Sequence, residues 1–215
     1  MSMTEVQEQP SATRQRIVQA MDRLFYRNGI RAVGVDTIVK DLGISKKTLY
    51  RHFRSKGEMI EAYLLARSRP IIVTDAPPVE QILASFEYVE RSLARAKEYR
   101  GCAFLNAIAE LGDDEPQARA IAIDYKESRR TFFRDLLARL EVDDPEGLAT
   151  QLSMLMDGAY AAVLTHNDPT LARPATAAAR VLLKNAGVKL GRSGGPAAVP
   201  AEPVAPLRKT RAARA

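Results

Sequence analysis

The 215-residue chain is poor in the residues that carry most redox and metal chemistry. Its one cysteine, Cys102, can form no intrachain disulfide and has no second thiol with which to begin a metal-ligand set. Its two histidines, His52 and His166, stand far apart, so no local His-rich metal spacing exists. No metal and no cofactor are expected. Long apolar runs are missing as well. The longest, Ala159 to Leu164, has six residues, whereas a helix crossing a bilayer needs roughly 20. The opening Met1-Ser2-Met3-Thr4-Glu5 lacks the basic-then-apolar pattern of a signal peptide. A cytoplasmic protein with no membrane partner is the expectation.

Signatures of catalysis are equally scarce. The sequence has no H-E-x-x-H, no P-loop and no G-x-G-x-x-G. Gly191-Arg192-Ser193-Gly194-Gly195 fits G-x-S-x-G by letter. A nucleophile elbow needs a strand before it and a helix after it, and this copy stands in a proline-rich stretch. A hydrolase is therefore the least favoured reading, and no enzyme is expected.

What the chain does have is charge, unevenly placed. Residues 1–70 carry 13 Lys+Arg against 7 Asp+Glu, residues 71–190 carry 14 against 18, and residues 191–215 carry 5 against 1. A basic N-terminal block on an acidic body suits a protein that meets a polyanion at one end, with nucleic acid foremost. Residues 1–10 and 191–215 lack apolar periodicity and are expected to be disordered. The second of these, with Arg208, Lys209, Arg211 and Arg214, reads as a basic tail able to add phosphate contacts.

Between those ends the apolar pattern is helical throughout. Ile17, Met21, Leu24 and Phe25 recur at i, i+4, i+7 and i+8, and Asn28-Gly29 gives a stop, predicting a helix over about 12–28. Asp36 to Leu42 forms a short second helix ending at Gly43, a residue that adopts the left-handed conformation cheaply. Ser45 caps a third helix through Phe53, and Ser55-x-x-Glu58 has the spacing of a capping box opening a fourth that Pro70 ends. The period continues through Val79, Ile82, Phe86, Val89 and Leu93, then through Ala103–Leu111. It resumes through Ile121, Tyr125, Phe132, Leu136 and Leu140, with Asp113-Asp114-Glu115 placed as acids at that helix's start. Asp144-Pro145 and Asp168-Pro169 open the last two helices, near 145–166 and 170–186. No stretch shows strand alternation, so the fold class is all-α with about nine helices.

Only Gly43-Ile44 separate the second helix from the Ser45 cap, which is the linkage of a helix-turn-helix. Leu49 and Phe53 point to the core of that unit, leaving Lys47, Thr48, Tyr50 and Arg51 on the outward face. Lysine and arginine neutralise phosphates, hydroxyls and phenols bond phosphate oxygens, and the first residues of the second helix reach base edges.

Residues 14–64 resemble the N-terminal DNA-binding domain of the tetracycline-repressor (TetR/AcrR) family. The resemblance rests on the F-x-x-x-G end of helix one, I-x-x-x-x-G-I-S, T-L-Y-x-H-F and the S-K that opens helix four. It covers about a quarter of the chain. It implies a DNA-binding transcriptional regulator, most often a repressor. Such a protein binds a palindromic double-stranded operator as a homodimer and is released by a small-molecule effector held in a C-terminal helical domain. Carried over by position, the base-facing residues are Lys46, Lys47 and Thr48, and the phosphate contacts are Tyr50, His52 and Lys56. Thr37 lies in the helix that crosses the backbone, and Ser45 at the cap completes the set. Many members have threonine where this chain has Gly34, so one hydroxyl is missing there. The expected domains are 11–57 for the helix-turn-helix, with helix four (56–69) as a connection, and 70–190 for ligand binding and dimerisation. Candidate pocket groups in the apolar helices are Tyr88, Asn106, Glu110, Tyr125, Asp157 and Tyr160. The competing reading is a helical small-molecule-binding module without specific DNA binding.

Overall fold

The structure is a computed structural model describing residues 11–190 except 70, 72 and 97. The expectations placed on residues 1–10, on Pro70, on the G-x-S-x-G segment and on the basic tail at 191–215 lie outside the described residues. The described chain is helical, with no strand among those residues. Its helices are α1 Ala12–Asn28, α2 Val35–Leu42, α3 Lys46–His52, α4 Lys56–Arg67, α5 Pro78–Arg95, α6 Ala103–Leu111, α7 Pro116–Ala138, α8 Pro145–His166 and α9 Arg173–Asn185. Among the described residues no helix is long and apolar enough to cross a membrane.

The chain divides into two compact units. One comprises the chain up to Arg67 together with Ala107–Ile121; the other comprises Ser68–Asn106 and the chain from Ala122 onward.

In the first unit α1 packs on α4 and on α2, and α2 on α3. Ile17, Met21 and Phe25 of α1 are buried as their spacing predicts, and Leu24 is half-buried. Ile38, Leu49, Phe53 and Tyr63 complete the centre, each no more than 1% exposed. Phe25 and Tyr63 meet edge to face with centroids 5.5 Å apart. Truncating a fully buried leucine such as Leu49 would cost about 2–5 kcal/mol. Arg67, at the end of α4, grips α1 in two ways. It forms a two-pronged ion pair with Asp22, and its guanidinium lies 3.9 Å from the centroid of the Tyr26 ring.

Residues 107–121 cluster with this unit and not with the C-terminal helices, where the sequence pattern puts them. The reason is Arg31. Its guanidinium donates to the Glu110 and Leu111 carbonyls and pairs with Asp114 at 2.6 Å, and the Glu110 carboxylate accepts the Ile30 N–H at 2.6 Å and the Arg31 N–H at 3.2 Å. The acidic cluster thus does more than start α7. Asp114 answers Arg31, and a Cβ built on Gly57 would lie 2.5 Å from Glu115 Oε2, so that carboxylate rests against the first turn of α4.

In the second unit α5, α8 and α9 pack together, with a 3-10 turn at Pro169–Ala172 between the last two. That turn moves the start of α9 from the expected 170 to Arg173. Asp168 caps the turn, its carboxylate accepting from the Thr170 N–H and hydroxyl, and the following residues tighten before the α-helix begins. The core runs through Ile82, Phe86, Phe133, Leu152, Ala179 and Leu183. On α7 the buried positions are Ala118, Ala122, Phe133, Leu136 and Leu137, whereas Ile121, Tyr125 and Phe132, and Leu140 just beyond the helix, are half-buried. Counting large apolar residues overlooked the two buried alanines.

Candidate nucleic-acid interface

The turn between α2 and α3 follows from two residues. Gly43 takes the left-handed conformation (φ 65°, ψ 33°), and its N–H and that of Ile44 both return to the Val39 carbonyl, closing α2. Ser45 then caps α3: its Oγ accepts the Thr48 N–H at 3.1 Å and lies 3.0 Å from the Thr48 hydroxyl. Phe53, buried, closes α3 and sits under the Arg14 guanidinium at 4.8 Å. α3 is thereby fixed at both ends. The start of α2 is simpler. Gly34 is its N-cap with extended backbone and no side-chain cap, and a Cβ there would meet nothing within 4 Å.

The outward side of α3 is as the spacing predicts. Lys47, Tyr50 and Arg51 are exposed, Tyr50 by 46%, while Thr48 and His52 are half-buried. Thr37 of α2 and the cap Ser45 are exposed beside them. These residues form one polar, cationic surface on two adjoining helices.

Two of the candidate cations are already engaged. Lys46 pairs with Asp36, Nζ to Oδ1 2.7 Å, and that hydrogen bond with the charge behind it holds the ammonium above the usual lysine pKa. Sequence reasoning missed the pair, although an acid in the first turn of α2 and a base in the first turn of α3 are the signal for it. Lys56 is turned elsewhere. Its Nζ approaches the Arg31 carbonyl at 3.4 Å beside a cleft of about 220 Å³ lined by Ile30, Arg31, Lys56, Ile60, Leu111, Asp114 and Glu115. Burial pushes its pKa below the ordinary value against the opposing pull of Glu115 and Glu110. At the start of α4, Ser55 accepts the Glu58 N–H at 3.0 Å, and Glu58 accepts from Arg54, one residue before the cap. The capping box is present with its return bond shifted by one position.

The candidate pocket groups separate. Glu110 belongs to the first unit and holds the loop at Ile30 and Arg31. Asn106 donates to the Arg100 carbonyl at 2.7 Å, closing the local loop. Asp157 pairs with Lys126. Tyr125 and Tyr160 interact electrostatically, together with Tyr88, Cys102 and Arg129. Arg129 was not singled out from the sequence. Its place four residues after Tyr125, on one side of α7, was the available signal.

The first unit carries the match to a family model. Residues 17–63 fit the model of the bacterial regulatory proteins of the tetR family. The helical arrangement also matches a tetR-type transcriptional regulator from Streptomyces avermitilis at 34% identity and a TM-score of 0.71, over 83% of this chain and 100% of the other. The chain belongs to the TetR family. A TetR-family transcriptional regulator from Streptomyces coelicolor is similar over 83% of this chain and 91% of its own, at 28% identity and a TM-score of 0.72. The HTH-type transcriptional repressor BdcR of Escherichia coli is 28% identical over 150 residues, which is 67% of this chain and 75% of that protein. This TetR-family chain is a DNA-binding transcriptional regulator and not an enzyme.

Proposed function

We propose that the protein is a repressor that binds a palindromic operator as a homodimer and lets go when a small-molecule effector binds its second unit. The observation that carries this reading is the surface of α3. The Gly43 turn and Ser45 cap fix a helix whose exposed residues are cations and a phenol, with the Thr48 hydroxyl half-buried beside them. In this reading Lys46, Lys47 and Thr48 meet base edges from the start of α3, while Thr37, Ser45, Tyr50 and His52 meet phosphates. Lys56, held at Arg31, acts through its field and not through direct contact. Such a protein works where the chromosome is, in the cytoplasm.

Support for the dimer comes from apolar side chains left in water on the last two long helices. Met154 and Leu164 of α8 are 69% and 45% exposed, and Val181 of α9 is 57% exposed. A self-complementary two-fold contact between these helices in two copies would cover them. The effector would bind better to a conformer whose two α3 helices no longer match successive major grooves roughly 34–36 Å apart, and operator affinity would fall by that difference. Selection of bound sequences from random duplex DNA at near-physiological salt tests the reading. An enriched palindrome with half-sites about one helical turn apart is expected; salt-sensitive binding with no enriched sequence would overturn it.

A further inference from the structure

In the stretch of α7 that belongs to the second unit, residues 122–138, the cations are matched to carboxylates with one exception. Lys126 pairs with Asp157, Arg130 with Glu127 and Glu146, and Arg134 with Asp135 and Glu146. Arg129 is half-buried and has no carboxylate within ion-pair distance among the described residues. It donates to the Tyr125 hydroxyl at 2.8 Å, and its guanidinium lies 5.2 Å from the same ring's centroid. A phenol and a ring face offset only part of the cost of taking a guanidinium out of water. Most of its five N–H donors remain for another acceptor.

The surroundings supply the rest of a receptor. Tyr125 is held by stacking on Phe104, centroids 3.7 Å apart, so the hydroxyl that accepts from Arg129 is fixed and keeps its own hydrogen to donate. Tyr160 of α8 lies within electrostatic reach of Tyr125, Arg129, Tyr88 and Cys102, and burial raises its pKa, so its hydroxyl stays a donor. Ser153, Asp157 and Tyr160 fall at i, i+4 and i+7 on α8, the face that meets Lys126. The Ser153 hydroxyl is buried with no hydrogen-bond partner among the described residues, a second group that calls for a ligand.

We propose that Arg129 is the anion anchor of a small-molecule site in the second unit, and that the ligand is a small carboxylic acid bound as its anion, with the Tyr125, Tyr160 and Ser153 hydroxyls as further donors. A carboxylate suits the site because one uncompensated positive charge stands there and the planar guanidinium matches two carboxylate oxygens. A phosphate dianion would leave charge unmatched. This inference rests on the effector-responsive reading and names the chemistry of its ligand.

The test uses the full-length protein without DNA. Benzoate, phenylacetate and octanoate, each beside its uncharged primary amide, are assayed by thermal melting and by calorimetric titration. At least one acid is expected to raise the melting temperature and titrate in, while its amide does not. Arg129→Gln should weaken that acid at least tenfold, and Arg129→Lys should recover part of the loss. Tyr125→Phe, which preserves the stack, should weaken binding several-fold even if Arg129→Gln fails to fold. Binding by none of the acids, amides that bind equally well, or an Arg129→Gln variant with unchanged affinity would each overturn the proposal. Acid binding that leaves the selected operator occupied would keep this site and sink effector release. Release by an uncharged compound, indifferent to Arg129→Gln, would do the reverse.

Discussion

The Lys46 ammonium lies 2.7 Å from the Asp36 carboxylate, across the turn that joins the two helices of the DNA-reading motif. In the proposed operator complex Asp36 would occupy a cation that otherwise faces DNA, and would place a negative charge near the phosphates. On arbitrary duplex DNA, which offers Lys46 no matching base edge, the freed ammonium would meet phosphate instead: Asp36→Asn should tighten that binding and steepen the plot of log affinity against log salt by about one unit. Both side chains are largely exposed, so the melting temperature should hardly move. An unchanged salt slope in Asp36→Asn would show that Lys46 never reaches the backbone.

Ser45 fixes the start of a helix only seven residues long, and its hydroxyl also holds Thr48. Ser45→Ala should lower stability by about 1 kcal/mol. Its operator affinity should fall more than that of Lys47→Ala, which removes one exposed cation and leaves the helix intact. Denaturant midpoints and operator titrations on both variants would separate the two effects.

The Glu110 carboxylate accepts two backbone N–H groups, those of Ile30 and Arg31. Glu110→Ala leaves both without that acceptor and should cost about 1–3 kcal/mol. Faster hydrogen exchange at the Ile30 and Arg31 amides is expected in the variant, with amides in α8 unaffected. Equal protection in the two proteins would place the loop's stability elsewhere.

Two buried tyrosines bear on stability at alkaline pH. Burial raises the pKa of Tyr63 and of Tyr160 above the ordinary 10.0, so each phenol loses its proton more readily in the unfolded chain than in the folded one. Their contribution is fully present below pH 10.0 and is lost as pH rises from there through the folded values. Tyr63→Phe, which retains the edge contact with Phe25, should lose less stability than the parent above that pH. Parallel melting curves for the two proteins across the alkaline range would contradict it.

Much of the first unit was legible because local chemistry and tertiary packing agree there. The stop at Gly29, the left-handed Gly43, the Ser45 cap and the i, i+4 pair Leu49 and Phe53 each act within a few residues, and period and capping rules see that far. The functions of Glu110, Asp114 and Glu115 were not legible, since their partners stand about 60–85 residues earlier. Three acids before a proline suit a helix start equally well whether or not an arginine waits in a distant loop. Arg129 escaped for a related reason: an arginine among several on one helix becomes distinctive only when its neighbours are found to be paired and it is not.

The acids that hold Lys46 and stand against the start of α4 also bear on how such a protein finds its site. A regulator whose every cation faced outward would be captured by the many competing stretches of chromosome. By keeping Asp36 on Lys46 and Glu115 beside Lys56, the head gives up some of its pull on arbitrary sequence. A cation released from its internal partner only when the correct bases accept it would widen the ratio of specific to nonspecific affinity, and that ratio governs occupancy in a genome.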